Sequence, residues 1–261
     1  GGKGIQILRE HGIEITEHIL EDECTRLNEV FFHYIQTKRP FVVMKYAMTL
    51  DGKIATYTGA SKWVTGEQAR NHVQEQRHRY TGIMVGVGTV LADDPLLTCR
   101  KAGCKNPIRI ICDTDLRTPL TAQVVTTAKQ APTILVTCCA DREKWTGYEE
   151  AGCRILPAER KNGRIDLERL MERLGQEGLD SILLEGGGTL NWAALESGIV
   201  QKVQAYIAPK LFGGQTAKTP VEGAGVPLPD CAFQLKNMVI TQLGEDILLE
   251  SEVASHVHRD C

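Results

Sequence analysis

Residues 181–195, SILLEGGGTLNWAAL, limit the choice of fold more than any other part of this chain. A short apolar run, Ile182 to Leu184, ends in an acid, Glu185. Three glycines, Gly186, Gly187 and Gly188, then lead into a helix-like segment that starts at Thr189. That order predicts a buried strand, a tight turn and a helix N-terminus. It is a building unit of open α/β sheets, whose ligands lie beyond the C-terminal ends of the strands. A helix start carries unpaired N–H groups and partial positive charge, so it can receive a phosphate. Glycine lets the backbone come close to such a group. A tight turn with no ligand fits the same letters, so the rest of the chain has to decide.

The chain repeats the alternation. Strands are expected at residues 41–47, 82–87, 108–112, 133–137, 154–156 and 202–208, from short apolar runs between turn signals. Between them, Thr65-Gly66-Glu67-Gln68 reads as a capping box opening a helix to about Tyr80. A helix at 144–151 is expected, and another at 166–175 with Asp166 as N-cap and Leu167, Leu170, Met171 and Leu174 on one face. A second glycine turn, Gly86-Val87-Gly88-Thr89, precedes a loop at 90–100. Residues 209–229 are rich in Gly and Pro and read as a functional or interfacial loop. Residues 233–243 and 246–253 alternate like a closing antiparallel hairpin. The expected fold is α/β: a mostly parallel central sheet, helices on both faces, and an antiparallel edge.

Residues 1–39 read as a separate small unit: a helix at 4–11 stopped by Gly12, a strand at 13–17, and a helix at 21–36 with Leu27, Val30, Phe31 and Tyr34 on its apolar face. A unit of that size has too little core to stand alone. It either packs on the later part of the chain or ends a longer domain. The start GGKGIQILREHG has neither signal peptide nor initiator Met and is expected to belong to a piece of a longer chain.

Composition removes several classes. The net charge of −3 is spread over interspersed acids and bases, which disfavours a nucleic-acid partner. No apolar run approaches the length of a membrane helix. Nine cysteines, an odd number with no CxxC pair, give no metal spacing and suit the reducing cytoplasm. His256 and His258 read as a solvated tail.

Neither glycine turn is a GxGxxG fingerprint or a GxxxxGK[ST] phosphate loop. Two such turns still fit one extended ligand with a diphosphate. Other polar groups stand out, each with a plain structural explanation when taken singly. Lys45 interrupts an apolar strand, as an edge lysine would. Arg77 and Arg79 lie on a helix, as on any solvated face. Arg100 ends a loop that holds Asp93 and Asp94, and Ser61 and Trp63 sit in a loop with Gly59.

The order of motifs is more specific. KYAMTLDGKIA, TGASKWVT, the helix with Arg77, GIMVGVGTVLADDPLLTCR, RIICD, LLEGGGTLNWAAL and YIAPKLFGG follow one another. This series closely resembles the reductase domain of the bifunctional riboflavin-biosynthesis deaminase/reductase of bacteria, over about residues 39–253. The resemblance implies a dihydrofolate-reductase-like three-layer fold. It divides the chain into 1–39, the end of a deaminase domain and its linker; 40–255, the reductase domain; and 256–261, a tail. The deaminase zinc signature, HxE with PCxxC, is absent, so neither deamination nor zinc is expected here.

The resemblance implies NADPH-dependent reduction of 5-amino-6-(5-phosphoribosylamino)uracil to its ribitylamino counterpart, by hydride transfer to ribose C1′, in a cytoplasmic homodimer. Position by position, it gives Ala47, Trp63, Thr89, Asp93, Gly187, Gly188, Thr189, Leu190 and Asn191 to the cofactor. It gives Ser61, Arg77, Leu97, Arg100 and Glu185 to the substrate, and sets Lys45 facing the reacting sugar. Arginine suits phosphate through charge-assisted, bidentate hydrogen bonds, so Arg77 and Arg100 are the expected clamp. Lys45, Asp93 and Glu185 are the candidates for proton management. No residue plainly marks the 2′-phosphate of NADPH. A reductase of the same fold acting on a pterin, and a non-catalytic nucleotide-binding module, are the competing readings.

Overall fold

The computed structural model describes residues 3–254. The tail at 256–261, with His256 and His258, lies outside the described residues. Helices α1 (Lys3–Glu10), α2 (Glu21–Leu27) and α3 (Glu29–Thr37) come first. Strand β1 (Phe41–Thr49) is followed by α4 (Glu67–Arg79), β2 (Gly82–Gly86) and α5 (Val87–Asp93). Then come β3 (Ile108–Cys112), α6 (Gln123–Thr126), β4 (Thr133–Thr137), α7 (Thr146–Glu150) and β5 (Arg154–Pro157). A small hairpin, β6 (Arg160–Lys161) with β7 (Arg164–Ile165), leads to α8 (Leu167–Gln176), β8 (Ser181–Leu184) and α9 (Gly188–Glu196). The last strands are β9 (Val200–Ala208), β10 (Leu235–Leu243) and β11 (Asp246–Val253).

One nine-stranded sheet runs β10-β11-β9-β1-β8-β2-β3-β4-β5. From β9 to β5 all neighbours are parallel, while β11 pairs antiparallel with β9 and with β10. This is the expected α/β architecture, a mostly parallel sheet with helices on both faces and an antiparallel edge. The interior strands β4 and β8 are buried along their whole length, as parallel strands covered on both faces must be.

The side-chain alternation of the strands builds two cores. On one face Val42, Met44, Met84, Ile110, Ile134 and Leu184 meet Leu167, Leu170, Met171 and Leu174 of α8 and Ala194 and Leu195 of α9. On the other, Ile83, Val85, Ile111 and Leu135 meet Val90 of α5, Val124 and Val125 of α6, and Tyr148 of α7. Lys45 continues the row Phe41, Val43, and Glu185 continues the row of Leu183, which pairs with Val43. Both therefore emerge on the face that α4 covers.

Several local expectations fail for identifiable reasons. Residues 13–17 form no strand; among the described residues no segment pairs with them. The helix expected at 21–36 is broken at Asn28, whose side chain donates to Cys24 O at 2.9 Å. Its expected apolar face is only partly used. Val30 packs on Phe41, Val43, Tyr80 and Leu183, whereas Leu27 and Phe31 are 78% and 58% exposed. Thr65 does not cap α4; Gly66 is the N-cap, and its N–H donates to Asp246 Oδ2 at 2.7 Å. The glycine turn at 86–89 is already the start of α5, so the loop begins at Asp94 rather than at residue 90. Asp166 does cap α8, accepting from Glu168 N and Arg169 N.

The N-terminal unit is anchored where it meets α8. A Cβ at Gly175 would lie 2.0 Å from Lys38 O, so only glycine lets the chain pass there. Tyr34 donates its hydroxyl to Gly175 O at 2.9 Å, and Arg39 pairs with Glu172. At the other edge, Asp246 → Ala is expected to cost about 1–2 kcal/mol, because it removes a buried cap from α4. Asp246 → Asn keeps an acceptor and should lose less. Chemical denaturation of the two variants checks this, and equal losses would show that the hydrogen bond is not what matters.

Candidate active site

The C-terminal ends of β1, β8, β2 and β3 open into a cavity of about 440 Å³. After β1 the cavity is lined by Ile54, Ala55, Gly59 and Ser61. After β2 it is lined by Gly88, Thr89, Ala92 and Asp93, and after β8 by Gly187, Gly188, Thr189 and Leu190. After β3 it reaches Thr114 and Arg117, with Arg164 of β7 beside them. Three strand spacings, about 14 Å, separate its two ends, so it suits an extended ligand.

Helix α9 starts in the middle of this cavity with no side-chain cap. Leu190 N and Asn191 N both return to Gly187 O at 3.0 Å. The first N–H groups of such a helix have no intrahelical partner and are open to an anion. A Cβ at Gly188 would come within 2.7 Å of Thr219 O and 2.6 Å of Glu222 Cγ. The loop at 209–229 thus leans on the turn. Glu222 N donates to Gly188 O at 3.0 Å, and Asn191 Nδ2 donates to Pro220 O at 2.8 Å. Across the cavity Ser61 Oγ donates to Asp93 Oδ1 at 3.1 Å.

Beside the cavity lies a buried charged trio. Arg77 of α4 grips Glu185 with two hydrogen bonds, Nε to Oε1 at 2.8 Å and Nη2 to Oε2 at 2.9 Å. Its Nη1 donates to Thr98 O at 3.1 Å. Lys45 Nζ is 3.8 Å from Glu185 Oε2 and stands over the Tyr206 ring, 5.6 Å from its centre. Tyr206 is held in turn by His72, whose Nδ1 lies 2.8 Å from the hydroxyl oxygen. Burial pushes the Glu185 carboxyl up, but the Arg77 guanidinium and the Lys45 ammonium outweigh it and bring the pKa down to about 2. Burial draws the Lys45 pKa below its ordinary value, against the pull of Glu185. Glu185 is thus a fixed anion, and Lys45 an ammonium that releases its proton more readily than a surface lysine.

The residues expected from the sequence fall into three sets. Ser61, Thr89, Asp93, Gly187, Gly188, Thr189 and Leu190 line one cavity. Lys45, Arg77 and Glu185 form one cluster, joined to that cavity through the turn Gly186-Gly187. Ala47, Trp63, Leu97, Asn191 and Arg100 do not line the cavity. Ala47 packs beside Tyr206, and Trp63 is exposed with the Arg70 guanidinium 4.9 Å over its ring. Leu97 is buried with a φ of 54°, and Asn191 holds the loop at Pro220. Arg100 is exposed. Arg77 differs from expectation: it is committed to Glu185 and Thr98 rather than left free for a phosphate. Thr114, Arg117, Arg164 and Glu222 were not expected from the sequence. The first two follow a buried strand, so the strand-end rule that found Glu185 applied to them as well.

Among the described residues no group of three or more His, Cys, Asp or Glu side chains is arranged to hold a metal ion. Among them, too, no helix is long and apolar enough to cross a membrane.

The chain is similar to proteins of one family. The family of the RibD C-terminal domain matches residues 40–249. The riboflavin biosynthesis protein RibD of Actinobacillus pleuropneumoniae is 53% identical over 254 residues, covering 97% of this chain and 68% of that protein. The 2,5-diamino-6-ribosylamino-4(3H)-pyrimidinone 5′-phosphate reductase of Methanothermobacter thermautotrophicus is 39% identical, covering 82% of this chain and 99% of that one. Among solved structures, RibD of Acinetobacter baumannii superposes with a TM-score of 0.82 at 31% identity, over 97% of this chain and 69% of that one. A cavity built on strand ends and a buried Lys–Glu–Arg cluster thus sit on a chain that belongs to the RibD C-terminal domain family, the reductase family of riboflavin biosynthesis.

Proposed function

We propose that this chain reduces 5-amino-6-(5-phosphoribosylamino)uracil to 5-amino-6-(5-phosphoribitylamino)uracil with NADPH. The observation that carries this reading is the buried Lys45–Glu185–Arg77 cluster, set one glycine turn away from an uncapped helix start in an elongated cavity. The cavity fits a dinucleotide. Gly187 leaves room for a diphosphate on the first N–H groups of α9, with Thr89 and Thr189 beside it. When bound, the nicotinamide supplies the hydride that arrives at ribose C1′. The chain's own groups place and polarise the sugar. Lys45 Nζ donates to the ring oxygen O4′ as the ring opens and offers it a proton. Glu185 accepts from sugar or amine hydrogens while Arg77 holds it still. Ser61 and Asp93 fix one another at the entrance. Arg100, exposed, takes the 5′-phosphate, since Arg77 is already paired.

The reading extends to the assembly. Residues 1–39 are the end of a deaminase domain and its linker. The full protein works in the cytoplasm. Strand β10 exposes Leu235, Met238, Val239 and Ile240, an apolar edge that suits a homodimer contact.

The test is NADPH oxidation by this chain, with the substrate made in place by a separate deaminase. Loss of nicotinamide absorbance is expected only when enzyme and substrate are both present. A folded protein that binds NADPH but never oxidises it would remove this substrate from consideration. Gly188 → Ala pushes against Thr219 O and Glu222, so it is expected to weaken NADPH binding. Fluorescence titration measures it, and a wild-type Kd would show that the turn does not hold the cofactor.

A further inference from the structure

Arg109, the second residue of β3, is fully buried on the row of Ile111, in the core that α5, α6 and α7 cover. Its hydrogen bonds go to neutral acceptors, and among the described residues its Nε has no partner. An aliphatic side chain would fill the same place without desolvating a charge. The guanidinium is there for what it holds.

Its fork joins three segments. Nη1 donates to Leu96 O at 3.1 Å, in the loop between α5 and β3, and to Thr127 Oγ1 at 2.8 Å, just past α6. Nη2 donates to Ala131 O at 2.6 Å, just before β4. No other side chain carries so many donors in one rigid plane. Two of the acceptors belong to a fixed frame: Thr127 Oγ1 donates to Gln123 O at 2.6 Å, and Ala131 N to Thr127 O at 3.0 Å.

The third acceptor lies in a loop without a frame of its own. Residues 95–100 are in neither helix nor strand, and side chains hold their backbone. Leu96 O accepts from Arg109, and Thr98 O from Arg77 Nη1 at 3.1 Å. Cys99 N donates to Asn106 Oδ1 at 3.0 Å, and Arg100 N to Gln74 Oε1 at 2.8 Å. Leu97 sits among them with a φ of 54°, a region that a leucine does not choose unaided. Its side chain is buried in the same core as Ile111. The turn at Leu97 carries the chain from that core out to α4. Arg109 holds the inner side of the turn, at Leu96. Helix α4 holds the outer side, at Thr98 and Arg100. The turn therefore sets where Arg100 stands relative to the Arg77–Glu185 pair.

We propose that Arg109 is a positioning residue for substrate binding: by holding Leu96 O it fixes the turn that sets Arg100 against the 5′-phosphate. The inference rests on the reading of Arg100 as the phosphate-binding arm of the reductase. Arg109 itself, buried under the loop, touches no substrate and acts through Arg100.

Steady-state NADPH oxidation, with the substrate made in place by a separate deaminase, tests it. Arg109 → Lys keeps the charge and loses the fork. Its KM for the sugar phosphate is expected to rise about tenfold, with kcat within about threefold of wild type. NADPH affinity, read by fluorescence titration, should stay at the wild-type value. In an Arg100 → Ala background the same change should raise KM by less than about twofold, because the arm it would misplace is already gone. A wild-type KM in Arg109 → Lys overturns the proposal, and so does a KM loss that is undiminished in the Arg100 → Ala background. Either result makes Arg109 a packing residue and leaves the reductase reading intact. Should Arg109 → Lys not fold, Thr127 → Val replaces it. That variant removes one acceptor of the fork at a half-buried position, and its KM is expected to rise about twofold to threefold. An unchanged KM there also overturns the proposal. A folded wild-type chain that oxidises no NADPH with this substrate sinks the reductase reading itself, and this inference with it.

Discussion

Glu185 → Gln is expected to destabilise the fold by about 3–5 kcal/mol, the usual cost of removing one partner from a buried ion pair. The cause is specific. Arg77 and Lys45 share this one carboxylate, and all three side chains are almost fully buried. The glutamine would leave two cations in a weakly solvated place. A domain of this size should lose roughly 10 °C in Tm. The effect has a pH signature. The folded pKa of Glu185, about 2, is below the ordinary 4.5, so its contribution is fully present above about pH 4.5. It fades as pH falls toward 2, when the folded carboxylate takes up its proton. The stability gap between wild type and variant should therefore close over that window. Denaturation curves at a series of pH values measure it, and a gap that stays constant down to pH 2 would contradict the charge-based account. Turnover should fall as well, because Lys45 and Arg77 would lose the anion that fixes them.

Lys45 → Met should separate catalysis from stability. Methionine keeps the length and the apolar stem, and Glu185 retains its two hydrogen bonds from Arg77. Removing a desolvated ammonium should leave stability within about 1 kcal/mol of wild type, because Glu185 stays paired with Arg77 and is not left an uncompensated buried charge. The loss should appear in kcat, by about 10²–10⁴-fold, the range for one positioned acid or base. In the wild type, turnover should decline as pH rises through the Lys45 pKa, which burial sets below 10.5. That alkaline limb should vanish from the residual activity of the variant. A Met variant with wild-type kcat would remove Lys45 from the proton-handling role.

The strands and their order of types were legible because each central strand is a continuous apolar run, which in a parallel sheet needs no subtler signal. The strand order in space was not, because nothing local places β8 between β1 and β2. Lys45 shows the limit best. In sequence it reads equally as an edge-strand lysine; only the register Val43 with Leu183 puts it beside Glu185. The cap of α4 was misread for a similar reason. Thr65 has the letters of a capping box, but the helix starts one residue later, with Gly66 as N-cap and its N–H held by Asp246 of the far hairpin. The break at Asn28 depends on a side chain competing with its own helix, a choice that periodicity does not record.

Delivery of hydride to ribose C1′ in this cavity is the central claim. Single-turnover reduction with NADPH deuterated at the reactive C4 position tests it most directly. One deuterium per product molecule is expected, at C1′ of the ribityl chain, in the wild-type enzyme. Product that carries no deuterium, or carries it at any other carbon, would contradict that claim.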